Sequence, residues 1–180
     1  MTDVTLRWVD DPQEWQVVQE VRLAALRADP DAFFARAADE EALDEKVWRD
    51  RAAEGGTLLA VDDATASPVG VATLVREEGG PADGRHLVGM WVAPTARGGG
   101  TATRLVDAVA DRARSEGSRR LTLWVVRANA AARNLYAARG FVETDVPPGV
   151  TDYGCAGEVR MTLPLSGPAD ADVTRGRGSP

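Results

Sequence analysis

The sequence holds a single cysteine, Cys155, a single histidine, His86, and a single lysine, Lys46. One cysteine excludes an intramolecular disulfide framework and fits a reducing compartment. With only one histidine beside it, the usual Cys/His zinc sites are excluded too, and no metal is expected. Lys46 stands in no Gly-Lys-Ser/Thr context, which excludes a P-loop. Long apolar runs are missing: LVGMWVAP and LTLWVV are strand-sized, far short of the roughly 20 residues a membrane helix needs. The opening MTDVTLRWVDDP turns polar at once and lacks the apolar core of a secretory signal. These absences predict a cytoplasmic protein with no membrane partner.

What is present suits one domain with a genuine core: 180 residues, 44% hydrophobic and 27% charged. The net charge of -7 is unevenly spread. Residues 1–85 are strongly acidic, whereas 86–142 carry nine arginines against Asp107, Asp111 and Glu116. An acidic protein is a poor candidate for nucleic-acid binding. The basic stretch reads either as a site that holds an anion or as solvated helix faces.

Alternation of Val4, Leu6 and Trp8 predicts a first strand. Asp11-Pro12 opens a helix through Leu26, and a second helix is expected over Glu40 to Glu54, ended by Gly55-Gly56. Strands follow at Thr57–Val61 and Val69–Val75, then a loop Glu77–Gly84 and a strand His86–Val92. Gly98-Gly99-Gly100 leads into a helix with apolar residues at 102, 105, 106, 109 and 113, one stripe of an amphipathic helix. Leu121–Val126 reads as a buried strand, and a short helix runs from the N-cap Asn129 to Gly140. Phe141–Glu143 and Glu158–Leu165 are the last strands. The order β-α-α-β-β-β-α-β-α-β-β describes one mixed α/β domain over residues 1–165, with 166–180 a flexible tail poor in large apolar groups.

The stretch Met90 to Ala102 carries the chemistry. A strand ends, glycines turn the backbone, and a helix begins, so unpaired N–H groups and the positive end of the helix dipole face a bound anion, with Arg97 at the mouth. The dinucleotide fingerprint G-x-G-x-x-G fails, because Thr103 stands where its last glycine belongs. Arg97-Gly98-Gly99-Gly100-Thr101-Ala102 instead reads R-x-x-G-x-A and resembles the acetyl-CoA pyrophosphate loop of the GNAT N-acetyltransferase superfamily. The surrounding W-V-x-P-x-x-R-G-x-G at 91–100 resembles the family's fourth strand and turn. About thirty residues on, N-x-x-A-x-x-L-Y-x-x-x-G-F, at Asn129, Ala132, Leu135, Tyr136, Gly140 and Phe141, resembles its second signature.

The resemblance implies a GNAT-like domain: a mixed, mostly antiparallel sheet with splayed central strands, flanked by helices. It implies acetyl-CoA as co-substrate, its pantetheine arm paired with backbone from Met90 through Trp91 to Val92, and an N–H near Val92 facing the thioester oxygen. The pyrophosphate would rest on Arg97, Gly98, Gly99, Gly100, Thr101 and Ala102, with Arg104 and Arg133 as further phosphate partners and Asn129 as an N-cap or a pantetheine contact. The family's tyrosine, here Tyr136, stands beside the coenzyme sulfur as general acid. Since a phenol near ~10 gives up its proton reluctantly to a thiolate near ~8.5, Tyr136 is expected chiefly to donate a hydrogen bond.

Many relatives place a glutamate where this chain has His86. Period-two alternation puts His86, Val88, Met90 and Val92 on one strand face. Imidazole, near ~6.5, suits a base. His86 is either that base or a strand-end histidine, with a water relay serving elsewhere. Cys155 is expected to be a bystander thiol.

The acceptor site is implied to lie between Asp29–Asp44, with Phe33 and Phe34, and the loop Val146–Gly157, with Tyr153. The first segment is acidic, either a rim for a cationic amine or a solvated surface. The activity implied is acetyl transfer to a primary amine of a small molecule or peptide, with possible homodimerisation. The alternatives are transfer of another acyl group, transfer to oxygen, or a non-catalytic acyl-CoA-binding regulator.

Overall fold

Seven strands form one sheet in the order β1-β2-β3-β4-β5-β7-β6 in the computed structural model, which describes residues 3–77, 79–148, 150 and 157–165. Along the chain these are β1 (Val4–Val9), β2 (Thr57–Asp62), β3 (Pro68–Val75), β4 (Gly84–Val92), β5 (Arg120–Val126), β6 (Val142–Glu143) and β7 (Glu158–Pro164). Every neighbouring pair is antiparallel except β4 and β5. The helices are α1 (Trp15–Ala28), α2 (Ala37–Glu41), α3 (Glu45–Ala53), α4 (Thr101–Ser115) and α5 (Ala130–Ala138). The expected element order and mixed, mostly antiparallel sheet are therefore observed, with one correction. The helix expected over Glu40–Glu54 is two helices, because the chain leaves helical geometry before Asp44, which takes extended angles as the N-cap of α3.

The sheet divides the core into two layers. On one side Leu74, Leu87 and Val92 pack with Leu105, Val106 and Val109 of α4 and with Leu121 and Leu123. On the other, Val71 and Trp91 pack with Val18, Val21 and Ala25 of α1 and the fully buried Trp48 of α3. Arg104, on the polar side of α4, donates to the Val4 carbonyl at 2.8 Å and so reaches β1.

Two irregularities position the site. The parallel pairing of β4 with β5 runs only from Gly84↔Arg120 to Leu87↔Leu123, after which both strands continue without pairing to each other. The central strands are splayed, as expected. The second irregularity is a β-bulge: between Val71↔Trp91 and Thr73↔Val88, one residue of β3, Ala72, faces two of β4, Gly89 and Met90. Gly89 lies inside it at φ +63°, a conformation that glycine adopts without Cβ strain. The bulge overturns the strict alternation read from sequence. His86 and Val88 share a face with Trp91, toward α1, while Leu87 and Val92 face α4.

Of the loop Val146–Gly157, residues 149 and 151–156, with Tyr153 and Cys155, lie outside the described residues, as do 166–180, the expected tail. No helix among the described residues is long and apolar enough to cross a membrane.

Candidate active site

Gly98, Gly99 and Gly100 project into open space. A Cβ built on any of them meets no heavy atom within 4 Å. Their N–H groups donate to no loop or turn partner among the described residues. Gly100, at φ +80°, is the N-cap of α4 and supplies no side-chain cap, so the first N–H groups of this fifteen-residue helix also face outward. Buried Thr101 and half-buried Ala102 begin the helix. Arg97 crosses back beneath the loop, where Nε donates to the Val92 carbonyl at 2.9 Å and the guanidinium pairs with Asp29. Asp29 also accepts from Trp91 Nε1 at 2.7 Å, so one carboxylate ties the end of α1 to β4 and to the glycine loop. Open backbone donors, a helix N-terminus and a nearby arginine fit a diphosphate.

Where β4 and β5 part, a cleft of about 510 Å³ opens. His86, Met90, Asn129 and Tyr136 line it together, as do Phe33 and Phe34. Asn129 is the N-cap of α5, its Oδ1 accepting from Ala132 N at 3.1 Å. Tyr136 is buried and its ring lies 5.6 Å from that of Phe141, tilted by 58°. Burial pushes its phenol well above the usual value of 10, and its hydroxyl makes no hydrogen bond to another described residue. Arg133 does not turn into the cleft; it pairs with Glu143 and donates to the Arg127 carbonyl at 3.3 Å.

His86 belongs to a buried polar network that sequence reading did not find. Its Nδ1 lies 2.7 Å from Thr122 Oγ1 and 3.6 Å from Glu77 Oε1. Glu77 receives both Nε and Nη2 of Arg160, at 3.1 and 2.6 Å. Arg160 further reaches Thr144 and Thr162, each at 3.3 Å. Thr122 Oγ1 also lies 3.2 Å from Glu77 Oε2 and 3.3 Å from the Arg85 carbonyl, both pure acceptors. With the Glu77 carboxylate also 3.6 Å from Nδ1, we assign the hydroxyl proton to one of these acceptors, so that Oγ1 accepts from His86 Nδ1–H and Nε2 keeps the lone pair. Burial pushes the imidazole from 6.5 down to about 4, with the Glu77 charge opposing and the Arg160 charge assisting. At neutral pH the ring is uncharged. Burial would raise the Glu77 carboxyl, but the Arg160 hydrogen bonds and the neighbouring charges outweigh it and hold it below the usual range. Glu77 and Arg160 are 83 residues apart; only the folded sheet brings them together. Trp124, read from sequence as core packing, lines the cleft with a buried Nε1 that has no partner among the described residues.

The acidic segment Asp29–Asp44 is partly neutralised. Glu40 is buried and binds Arg22 at 2.8 Å and Arg51 at 3.0 Å. Burial raises its carboxyl, yet the two guanidinium groups outweigh this and hold it low. Glu41 pairs with Arg27 at 2.7 Å, and Asp29 with Arg97. Asp31, Asp39 and Asp44 make no ion pair among the described residues, so half of the six acids of this segment are neutralised.

The model of the acetyltransferase (GNAT) family matches residues 19–141. Among solved structures, a GCN5-related N-acetyltransferase from Kribbella flavida is 24% identical, with a TM-score of 0.69 over 90% of this chain and 98% of that one. The acetyltransferase YncA from Salmonella typhimurium, solved with its cofactor acetyl-CoA, is 18% identical, with a TM-score of 0.67 over 99% and 98% of the two chains. A GNAT-family acetyltransferase from Staphylococcus aureus Mu50 is 17% identical at a TM-score of 0.70, covering 91% and 100%. These likenesses speak for the fold. No curated protein sequence matches. The match spans both signature motifs together with the cleft between them, and the chain belongs to the GNAT family of acetyltransferases.

Proposed function

We propose that the protein is an N-acetyltransferase that moves the acetyl group of acetyl-CoA to a primary amine of a small molecule or peptide. The observation that carries this reading is the parting of β4 and β5, with the open glycine loop at one end and His86 and Tyr136 lining the resulting cleft. Acetyl-CoA supplies an activated acetyl thioester. The N–H groups of Gly98 to Ala102 hold its diphosphate, with Arg97 beside them. The unpaired edge from Met90 through Trp91 to Val92 binds its amide-bearing arm and offers a donor to the developing oxyanion.

His86 Nε2 takes a proton from the amine as the new C–N bond forms. Being neutral, it can do so across the physiological range, and its low basicity favours an amine that already reaches the cleft uncharged. Tyr136 donates a hydrogen bond to the leaving sulfur rather than surrendering its proton, because burial has made the phenol a weaker acid still. Asn129 caps α5 and thereby fixes the helix that carries Tyr136.

The test is release of free thiol from acetyl-CoA over a panel of primary amines, with the product identified by mass. Equal amounts of acetylated amine and coenzyme A are expected. Coenzyme binding without thiol release on any amine, or acetylation of a hydroxyl instead, would overturn the reading.

A further inference from the structure

Arg22 of α1 stands where two cavities meet. The reaction cleft and a second cavity of about 330 Å³, between α1, α3 and the sheet, share Arg22, Val75, Val88 and Gly89 in their walls. The guanidinium is fixed on three sides. Nε and Nη2 donate to Glu40, at 3.2 and 2.8 Å, and the plane lies 5.1 Å over the Phe33 ring. The remaining nitrogen, Nη1, makes no hydrogen bond to a described residue and would lie 3.4 Å from a Cβ placed on Gly89. A Cβ at the bulge would be in van der Waals contact with this nitrogen; glycine leaves that side open.

The charges around it do not cancel. Glu40 is one carboxylate between two guanidinium groups, Arg22 and Arg51, so this buried cluster carries a surplus positive charge. On the cleft side, Glu77 is matched by Arg160, Arg76 and Glu158 add one charge of each sign, and His86 is neutral. The second cavity offers Val18, Val71 and Val88 as apolar wall, and Glu54 stands at its exposed rim. An anionic group within reach of Nη1 gains a charge-assisted hydrogen bond in a half-buried setting. The same surplus charge favours the unprotonated form of a nearby amine.

We infer that Arg22 is an acceptor-selecting residue: the acceptor is a small primary amine carrying a carboxylate, as an amino acid does, with the carboxylate on Arg22 Nη1 and an apolar side chain directed toward the second cavity. This rests on the proposed amine acetylation and narrows its substrate class.

The experiment compares each of phenylalanine, leucine and methionine with its decarboxylated amine, reading thiol release from acetyl-CoA. The carboxylate member is expected to exceed its partner at least tenfold in kcat/KM. Arg22→Gln should bring that ratio near one, mainly through KM, and Arg22→Lys should restore part of it. Equal or better use of the decarboxylated amines by the wild type overturns the proposal, as does an unchanged ratio in a folded Arg22→Gln. If no amine releases thiol, the acetylation reading falls, and the anion site is judged separately from melting with coenzyme A present. A rise with 3-phenylpropanoate but not with 3-phenylpropanamide supports the site; equal responses overturn it.

Discussion

His86 and Thr122 face each other across the last paired stretch of β4 and β5, with Nδ1 and Oγ1 2.7 Å apart. In the assigned tautomer the threonine oxygen accepts a hydrogen bond from the imidazole Nδ1–H, its own hydroxyl donating to Glu77 or to the Arg85 carbonyl. Replacing it with valine removes that acceptor and frees the ring to change tautomer. Thr122→Val should lower kcat by at least about tenfold, within the range a positioned base contributes, with little change in KM for acetyl-CoA. Thr122→Ser should recover most of the loss; a valine variant with wild-type turnover would remove the tautomer from the mechanism.

The same imidazole makes folding stability depend on pH. Its folded pKa of about 4 lies below the unfolded value of 6.5, so the unfolded chain binds the extra proton first. Stability from this group is complete above pH 6.5, falls by about 3 kcal/mol as pH drops toward 4, and changes no further below that. Urea titrations from pH 4 to 8 on wild type and His86→Gln should differ in slope in that window and nowhere else.

Tyr136→Phe keeps the ring and its contact with Phe141 while deleting the hydroxyl. Turnover should fall about tenfold or more with coenzyme affinity little altered. Since burial raises the phenol pKa, the wild-type rate should show no decline from Tyr136 ionisation up to pH 10. Equal rates in wild type and variant would deny the hydroxyl a part in the reaction.

Gly99 tests the phosphate loop without a folding penalty. It has neither a positive φ nor a neighbour that a Cβ would strike. Gly99→Ala should leave the apo melting temperature unchanged or slightly raised. Coenzyme A affinity, measured by calorimetry, should nonetheless fall at least about tenfold, because on the proposed binding mode the methyl would stand where the diphosphate approaches the backbone. Undiminished affinity would place the phosphates elsewhere.

Glu77→Ala strands the Arg160 guanidinium, whose side chain is 4% exposed. Breaking a buried pair from one side costs about 3–5 kcal/mol. Urea unfolding should register that loss, and a change under about 1 kcal/mol would show that water reaches Arg160.

Most of the fold was legible because alternation, glycine stops and the α4 stripe are local signals. The long partnership of Glu77 with Arg160 was not, since neither residue carries a sign of the other. Glu40 misled for the opposite reason: as one of a run of acids it looks solvated, and only tertiary packing reveals Arg22 and Arg51 around it. The bulge was within reach, because an isolated glycine inside a strand, Gly89, is a known mark of one. Strict alternation beyond that glycine put Val92 on the wrong face. The open glycine turn before α4 was legible because it is written in consecutive residues, whereas the His86 network depends on strands that meet only after folding.

The short pairing of β4 with β5 also bears on mechanics. Four register pairs join them, whereas seven join β5 to β7. The molecule is thus two panels, β1 to β4 and β5 to β7, meeting at a partial seam whose open part runs from Val88 to Val92 and from Trp124 to Val126. On the proposed function, an extended coenzyme arm lying along that seam would act as a stitch between the two panels as well as a reactant.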